Sequence, residues 1–383
     1  MKRFMLLIVM LILTTSCAPS FNSQEGVIEE NQDESGQETA IIPSYNIAED
    51  NYKVMIPYKI GKARGVITNQ VANRVDIDEL EEGLRRHSKQ VYDPDTYFFQ
   101  EGQYITDSIV YEWLERFSET EASRSNPEGL NPAIEDESDE DQQRANPKYL
   151  SHILEQNYIV KTEGDFVELG GISIGIALKS VYTFQTEDFG ASYYEDIPME
   201  DLISEGKQIA QQVLSRVRQI EGLEEVPVLL SLFREEAQNS LVPGNFIAKT
   251  FVEEGNSTIG AWENINEEHI LFPSSEANEK YPEMSDNLGY FEQDIAEYFP
   301  NYVSVIGKGF YIEDELQKLT IEIPVSFNGN GEIIGFNQYI YGLVTEGFQN
   351  NYDLEINVTS NGRQESLITR NAGEDDLAVH IYH

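Results

Sequence analysis

The chain has 383 residues, 40% of them hydrophobic, enough for one or two folded domains with ordinary cores. It carries 68 acidic against 26 basic residues, a formal net charge of −42. Such a surface repels nucleic acid and anionic headgroups, which excludes intracellular nucleic-acid functions and suits a salty exterior. Cys17 is the one cysteine, so no disulfide within the chain can brace the fold.

Residues 1–16 read as a secretory leader: Lys2 and Arg3, an unbroken apolar run from Phe4 to Leu13, then small Thr14, Thr15 and Ser16. The run is too short to span a bilayer, which takes about 20 apolar residues. Cys17 directly after the small residues makes a lipobox. Signal peptidase II is expected to cut between Ser16 and Cys17, and lipid-transfer machinery to place a diacylglyceryl group on the Cys17 thiol. Acylation of the new amino terminus, with palmitate-type chains, would follow. Thr14 stands where such boxes usually carry leucine, with Leu13 one step earlier. Two or more acyl chains anchor stably, at about 0.8 kcal/mol per buried CH₂. The expected location is the extracytoplasmic face of the cell membrane, with lipid on Cys17 as the membrane contact.

Residues 17–50 are rich in Ser, Gln, Asn and acids and read as an acidic flexible tether. A first α+β lobe is expected over 51–275. Val75, Ile77, Leu80 and Leu84 predict a helix, and Ile109, Trp113, Leu114 and Phe117 predict another, capped by Thr106 or Asp107. The proline-fenced acidic stretch at about 118–148 reads as a disordered insertion. "FVELGGISIGIALKSVYTFQ" from Phe166 predicts a hairpin or bulged strands. Leu202, Ile203, Ile209, Val213, Leu214 and Val217 predict a long helix, and "VPVLLSLFRE" and "GNFIAKTFV" predict strands.

Polar, punctuated residues 273–287 are read as a boundary, with a second α+β lobe over 288–383. It begins with a helix at 290–299 and a strand at 302–311. "KLTIEIPVSF" and "EIIGFNQYIYGLV" read as a hairpin joined at "NGNG", with further strands at "DLEINVTS" and "LAVHIY". The expected fold class is α+β: antiparallel or mixed sheets, helices packed on one face, two lobes.

Catalytic signatures are absent. His87, His152, His269, His380 and His383 form no HExxH pair or zinc-finger spacing. There is no G-x-S-x-G elbow and no phosphate-binding loop. Asp93-Pro94-Asp95 reads as a turn rather than the start of a calcium loop. Acids are too numerous for any one pair to suggest glycosidase chemistry. No enzyme activity, metal or cofactor is therefore expected. "YKIGKARG" and "DPDTYFFQEGQYI" do stand out. They offer Lys62, Arg64, Tyr97, Phe99 and Tyr104 as a basic, aromatic ligand groove, against the plainer alternative of filled core.

"KARG", "DPDTYFFQEGQY", "NPKYLSHILEQNY", "GISIGIALKSVY", "VPGNFIAKT", "LFPS", "YFPNYVSVIGKGFY" and "EIIGFNQY" together resemble the CamS family of sex pheromone lipoproteins of Gram-positive bacteria, in order over 52–348. The resemblance implies a lipoprotein whose cleaved leader, not its folded part, supplies the signal: a short apolar peptide sensed by plasmid-donor cells in conjugation. On this chain that peptide would be Met10, Leu11, Ile12, Leu13, Thr14, Thr15 and Ser16, with Thr14 and Thr15 departing from the family's apolar ending. The resemblance supplies no catalytic residue. The alternative is an extracellular ligand-binding or adhesion module. A cell-wall hydrolase ranks third and would need two carboxylates facing across a cleft.

Overall fold

The computed structural model describes residues 26–30, 39–42, 51–71, 73–119, 125–162, 166–299, 304–326 and 329–382. The leader, Ser16, Cys17 and the peptide segment Met10 to Ser16 lie outside the described residues. Of 17–50, the described residues are two strands, β1 (Gly26–Glu30) and β2 (Thr39–Ile42), paired antiparallel, with β1 running parallel to the chain at Phe166. Over those strands the segment is paired backbone and not a free tether.

The first sheet is built from β3 (Lys53–Val54), β4 (Tyr97–Glu101), β5 (Leu150–Lys161), β6 (Phe166–Leu178), β9 (Val228–Arg234), β10 (Asn245–Val252) and β11 (Glu263–Asn264), in the order β11-β10-β9-β6-β5-β4-β3. Helices α1 (Ile67–Gln70) and α2 (Arg74–Ser88) join β3 to β4, and α3 (Asp107–Leu114) and α4 (Glu140–Ala145) precede β5. The ribbon β7 (Val181–Phe184) and β8 (Tyr193–Asp196) and helix α5 (Met199–Val217) carry the chain from β6 across to its parallel neighbour β9.

Strand β6 explains the layering. Ile172, Ile174, Ile176 and Leu178 alternate with Gly171, Ser173, Gly175 and Ala177, so a strand's two-residue period sorts large from small. The large face packs on Leu202, Ile209 and Val213 of α5. The small face admits α2, whose Leu80 and Leu84 pack against Ala177. A Cβ at Gly171 would meet the Tyr92 ring at 2.1 Å, so only glycine fits there. Helices therefore cover both faces of this sheet, not one.

The second sheet runs β12-β13-β14-β15-β16-β17: Glu267–Phe272, Ile306–Ile312, Glu315–Pro324, Asp353–Ser360, Arg363–Arg370 and Ala378–Ile381. Here the expected single helical face holds. Leu319, Ile321, Ile323, Ile356, Val358 and Ile368 face Phe291 and Ile295 of α7 (Pro282–Tyr298) and Phe336, Ile340 and Val344 of α8 (Asn330–Gly347). The reverse face is polar, with Lys318 Nζ 3.1 Å from Glu355.

Three expectations are corrected. "EIIGFNQYIYGLV" is helix α8, not a hairpin strand: Ile333, Phe336, Ile340 and Val344 are buried at helical spacing. β14 and β15 are parallel neighbours, a pairing that demands a crossover which a two-residue turn cannot make. Residues 273–287 are no boundary, since α6 (Ser275–Lys280) and α7 occupy them; the change of sheet falls between β11 and β12. The acidic stretch is not disordered over 125–148. Asn131, 1% exposed, donates Nδ2 to Leu114 O and Leu150 O and accepts from Leu150 N. The buried Arg116 guanidinium donates to Gln143, Tyr182, Pro132 O and Asn146 O. Polar side chains here hold backbone that a count of apolar residues overlooks.

Charged groups on α2 link the two sheets. Arg86 Nη2 donates to Glu79 (2.7 Å) and to Glu267 of β12 (3.0 Å), and its guanidinium lies 4.5 Å over the Phe310 ring of β13. His87 Nε2 stands 3.2 Å from Glu267 and His269 Nε2 3.6 Å from Glu79. Burial acts to raise both carboxyls, but the facing histidines and Arg86 outweigh it and hold them below the usual range.

Replacing Arg86 with Met should leave two nearly buried carboxylates facing one another and cost about 3–5 kcal/mol, read from urea denaturation. An unchanged midpoint would show that the cluster does not hold the sheets. Phe336→Ala should cost about 3–5 kcal/mol, while Ile334→Ala, at a 47% exposed position, should stay within about 0.5 kcal/mol. A strand would place both on one face, so equal losses would contradict helix α8.

Candidate functional site

A cleft of about 160 Å³ opens where β4 stops and β5 continues, beneath α2 and the 58–67 loop. The pleat sends His152, Leu154 and Gln156 of β5 toward it, with Phe99 and Glu101 of β4. Helix α2 contributes Glu81 and Arg85, four residues apart on one helical face. The loop contributes Tyr58 and Arg64, and the start of α1 contributes Ile67. The same chain spacing that buries Leu80 and Leu84 on β6 turns Glu81 and Arg85 toward the cleft.

Two of its carboxylates are fully engaged. Glu155 accepts from the backbone amides of Gln103 (3.0 Å), Tyr104 (3.1 Å) and Ile105 (2.6 Å); burial pushes its pKa up and these amides act against that rise. A Cβ at Gly102 would sit 2.6 Å from Glu155 Cβ, so this turn needs glycine. Glu101 accepts from Tyr58 Oη and Gly61 N and lies 3.7 Å from Arg64. Burial first, then the hydrogen bond to Glu101, moves the Tyr58 hydroxyl up to about 12.

Other groups lack such partners. Arg85 stacks its guanidinium 5.0 Å over Phe99 and makes no ion pair among the described residues. The Glu81 carboxylate has no hydrogen bond among them; burial and then the Glu101 charge raise its pKa against the lowering effect of Arg85, although the residue is exposed. His152 is 2% exposed and its Nδ1 has no hydrogen-bond partner among the described residues. Burial holds its pKa down at about 3, so the ring is neutral at physiological pH.

Of the five residues expected to form a groove, Arg64 and Phe99 line the cleft. Lys62 does not: its backbone N bonds Gly102 O and its side chain points to solvent. Tyr97 packs edge-on to Tyr92, 5.4 Å away, in an aromatic core with Tyr52 and Tyr158. Tyr104 packs on the core beneath α5. Sequence reasoning missed His152, Glu81 and Arg85. The Glu81–Arg85 spacing was a visible sign; for His152 it was the alternation of "SHILEQNY". Among the described residues no group of His, Cys, Asp or Glu is arranged to hold a metal, and no helix is long and apolar enough to cross a membrane.

Residues 58–376, which include the cleft and most strands of both sheets, match the family described as the CamS sex pheromone cAM373 precursor. The chain belongs to the CamS family. A sex pheromone precursor from Lactobacillus salivarius subsp. salivarius UCC118, solved at 1.35 Å, is 31% identical, with 88% of this chain and 98% of that one aligned at a TM-score of 0.81. The C-terminal domain of the sex pheromone staph-cAM373 precursor from Staphylococcus aureus is 27% identical, with 82% and 99% covered and a TM-score of 0.70. No curated protein matches the chain. CamS membership supports the fold class expected from the sequence: mixed α+β with antiparallel and mixed sheets.

The buried His152 makes stability depend on pH in this CamS protein. Its folded pKa is about 3 against 6.5 when exposed, so between those values the unfolded chain binds the extra proton and stability falls as pH drops. From pH 6.5 to 4.5 the wild type should lose about 2 kcal/mol more than His152→Gln in urea titrations. Equal losses would mean that His152 is protonated in the folded state.

Proposed function

We propose that this protein is a lipoprotein held on the extracytoplasmic face of the cell membrane through Cys17, and that its cleaved leader is the source of a peptide pheromone ending at Ser16. The observation that carries this is the run Lys2-Arg3, Phe4 to Leu13, Thr14-Thr15-Ser16, Cys17. Membership in a family described as a sex pheromone precursor supports it, as do two solved relatives that bear the same description. On this reading signal peptidase II and the lipid-transfer enzymes are the partners in processing. The peptide Met10 to Ser16 has no charged side chain, so it can leave the membrane after trimming. The folded part acts without catalysis in this scheme.

Mass spectrometry on membranes and medium from producing cells tests both halves. A mature amino terminus at lipid-bearing Cys17, with a fragment ending at Ser16 in the medium, is the expected result. Cys17→Ala should leave the precursor uncleaved or release it from the membrane. Unchanged processing and anchoring in that variant would refute the lipobox.

A further inference from the structure

We propose that the cleft between α2, β4 and β5 binds a free amino acid with an apolar side chain. This inference is separate from the anchoring and pheromone reading, because it concerns only the folded part.

The argument rests on which charges remain uncommitted. Glu101 and Glu155 are engaged by the chain's own donors, so neither is free to bind a ligand cation. Arg85 and Glu81 are left with no ion pair of their own among the described residues, side by side on one helical face. In a chain with 68 acidic and only 26 basic residues, a half-buried guanidinium in salt-bridge contact with none of the described carboxylates is an uncommon arrangement, although the neighbouring Glu81 feels its charge. One positive and one negative group at helix-turn separation match the carboxylate and ammonium carried by one α-carbon. Ile67, Phe99 and Leu154 supply apolar wall to the same cleft. A cavity of about 150 Å³ takes a benzene-sized body, so about 160 Å³ suits one apolar side chain, with its charged ends at the mouth.

The buried His152 imidazole is a second, independent sign. It lines the cleft, is 2% exposed, and keeps a ring nitrogen unpartnered among the described residues. Buried polar atoms are satisfied in most folded proteins. A neutral imidazole leaves the charge balance of the ligand to Arg85 and Glu81. A lone anion would face Glu81 and a lone cation would face Arg85, whereas a zwitterion uses both.

Calorimetric titration of the purified protein with L-leucine tests the proposal, alongside 4-methylpentanoate, which lacks the ammonium, and 3-methylbutylamine, which lacks the carboxylate. Saturable 1:1 binding of leucine is expected, with both analogues at least tenfold weaker. Arg85→Gln should weaken leucine and 4-methylpentanoate tenfold or more and leave the amine unchanged. Glu81→Gln should weaken leucine and the amine and leave the acid unchanged. Both positions are partly solvent-facing, and an unaltered melting temperature in each variant confirms that the fold is intact. No saturable binding of leucine, or equal binding by wild type and both variants, would overturn the proposal. An analogue that binds as tightly as leucine would overturn its zwitterionic form. The pheromone reading is untouched by any of these results, since it depends on residues 1–17.

Discussion

A strand buried on both faces organises this molecule. From Gly171 to Leu178, β6 has almost no contact with water, so each face must be covered by something of complementary shape. Isoleucines on one side call for a broad apolar helix, and α5 supplies it. Glycine, serine and alanine on the other side allow α2 and Tyr92 to approach the backbone closely. A methyl at Gly171 would run into the Tyr92 ring and one at Gly175 would press on Leu80 of α2 at 3.0 Å, so the position of α2 depends on what β6 lacks.

The placement of α2 has two consequences. Its Arg86 and Glu79 reach across to Glu267 and His269 at the edge of the second sheet, tying the two cores through charges that are largely removed from water. Its neighbouring turn carries Glu81 and Arg85 over the end of β4. There β5 runs on alone and the 58–67 loop closes the remaining side. The linkage of the sheets and the charged wall of the cleft thus share one helix. A shift of α2 on β6 would disturb both.

The chain's acidity is handled locally. Glu155 sits on three backbone amides, and Glu79 and Glu267 sit on Arg86 and two histidines. Arg116 spends its donors on carbonyls, a glutamine and a tyrosine hydroxyl rather than on acids. Among the described residues most of the other acids are exposed, where salt screens them. Around Arg116 and Asn131 burial follows which polar groups find a partner, more than how many apolar residues the segment contains.

What was legible from residues alone was local. Helix α2 announced itself by Leu80 and Leu84, α5 by Ile209, Val213 and Val217, and α3 by a Thr106 side chain that does accept from Ile109 N. The family resemblance was equally plain, since it rests on runs of neighbouring residues. The α8 segment was misread because Asn-Gly at its start has the local chemistry of a turn. Only the parallel pairing of β14 with β15 makes a crossover obligatory there, and that pairing joins residues far apart in the chain. The cleft was half legible for the same reason. Arg64 and Phe99 lie in conspicuous stretches, whereas His152, Glu81 and Arg85 become one site only when β5 and α2 meet. Periodicity, caps and short motifs follow from forces between near neighbours, so the order of residues is enough to specify them. Which strand lies beside which, and which charges are left without partners, depends on contacts between distant segments, and the tertiary structure alone decided those.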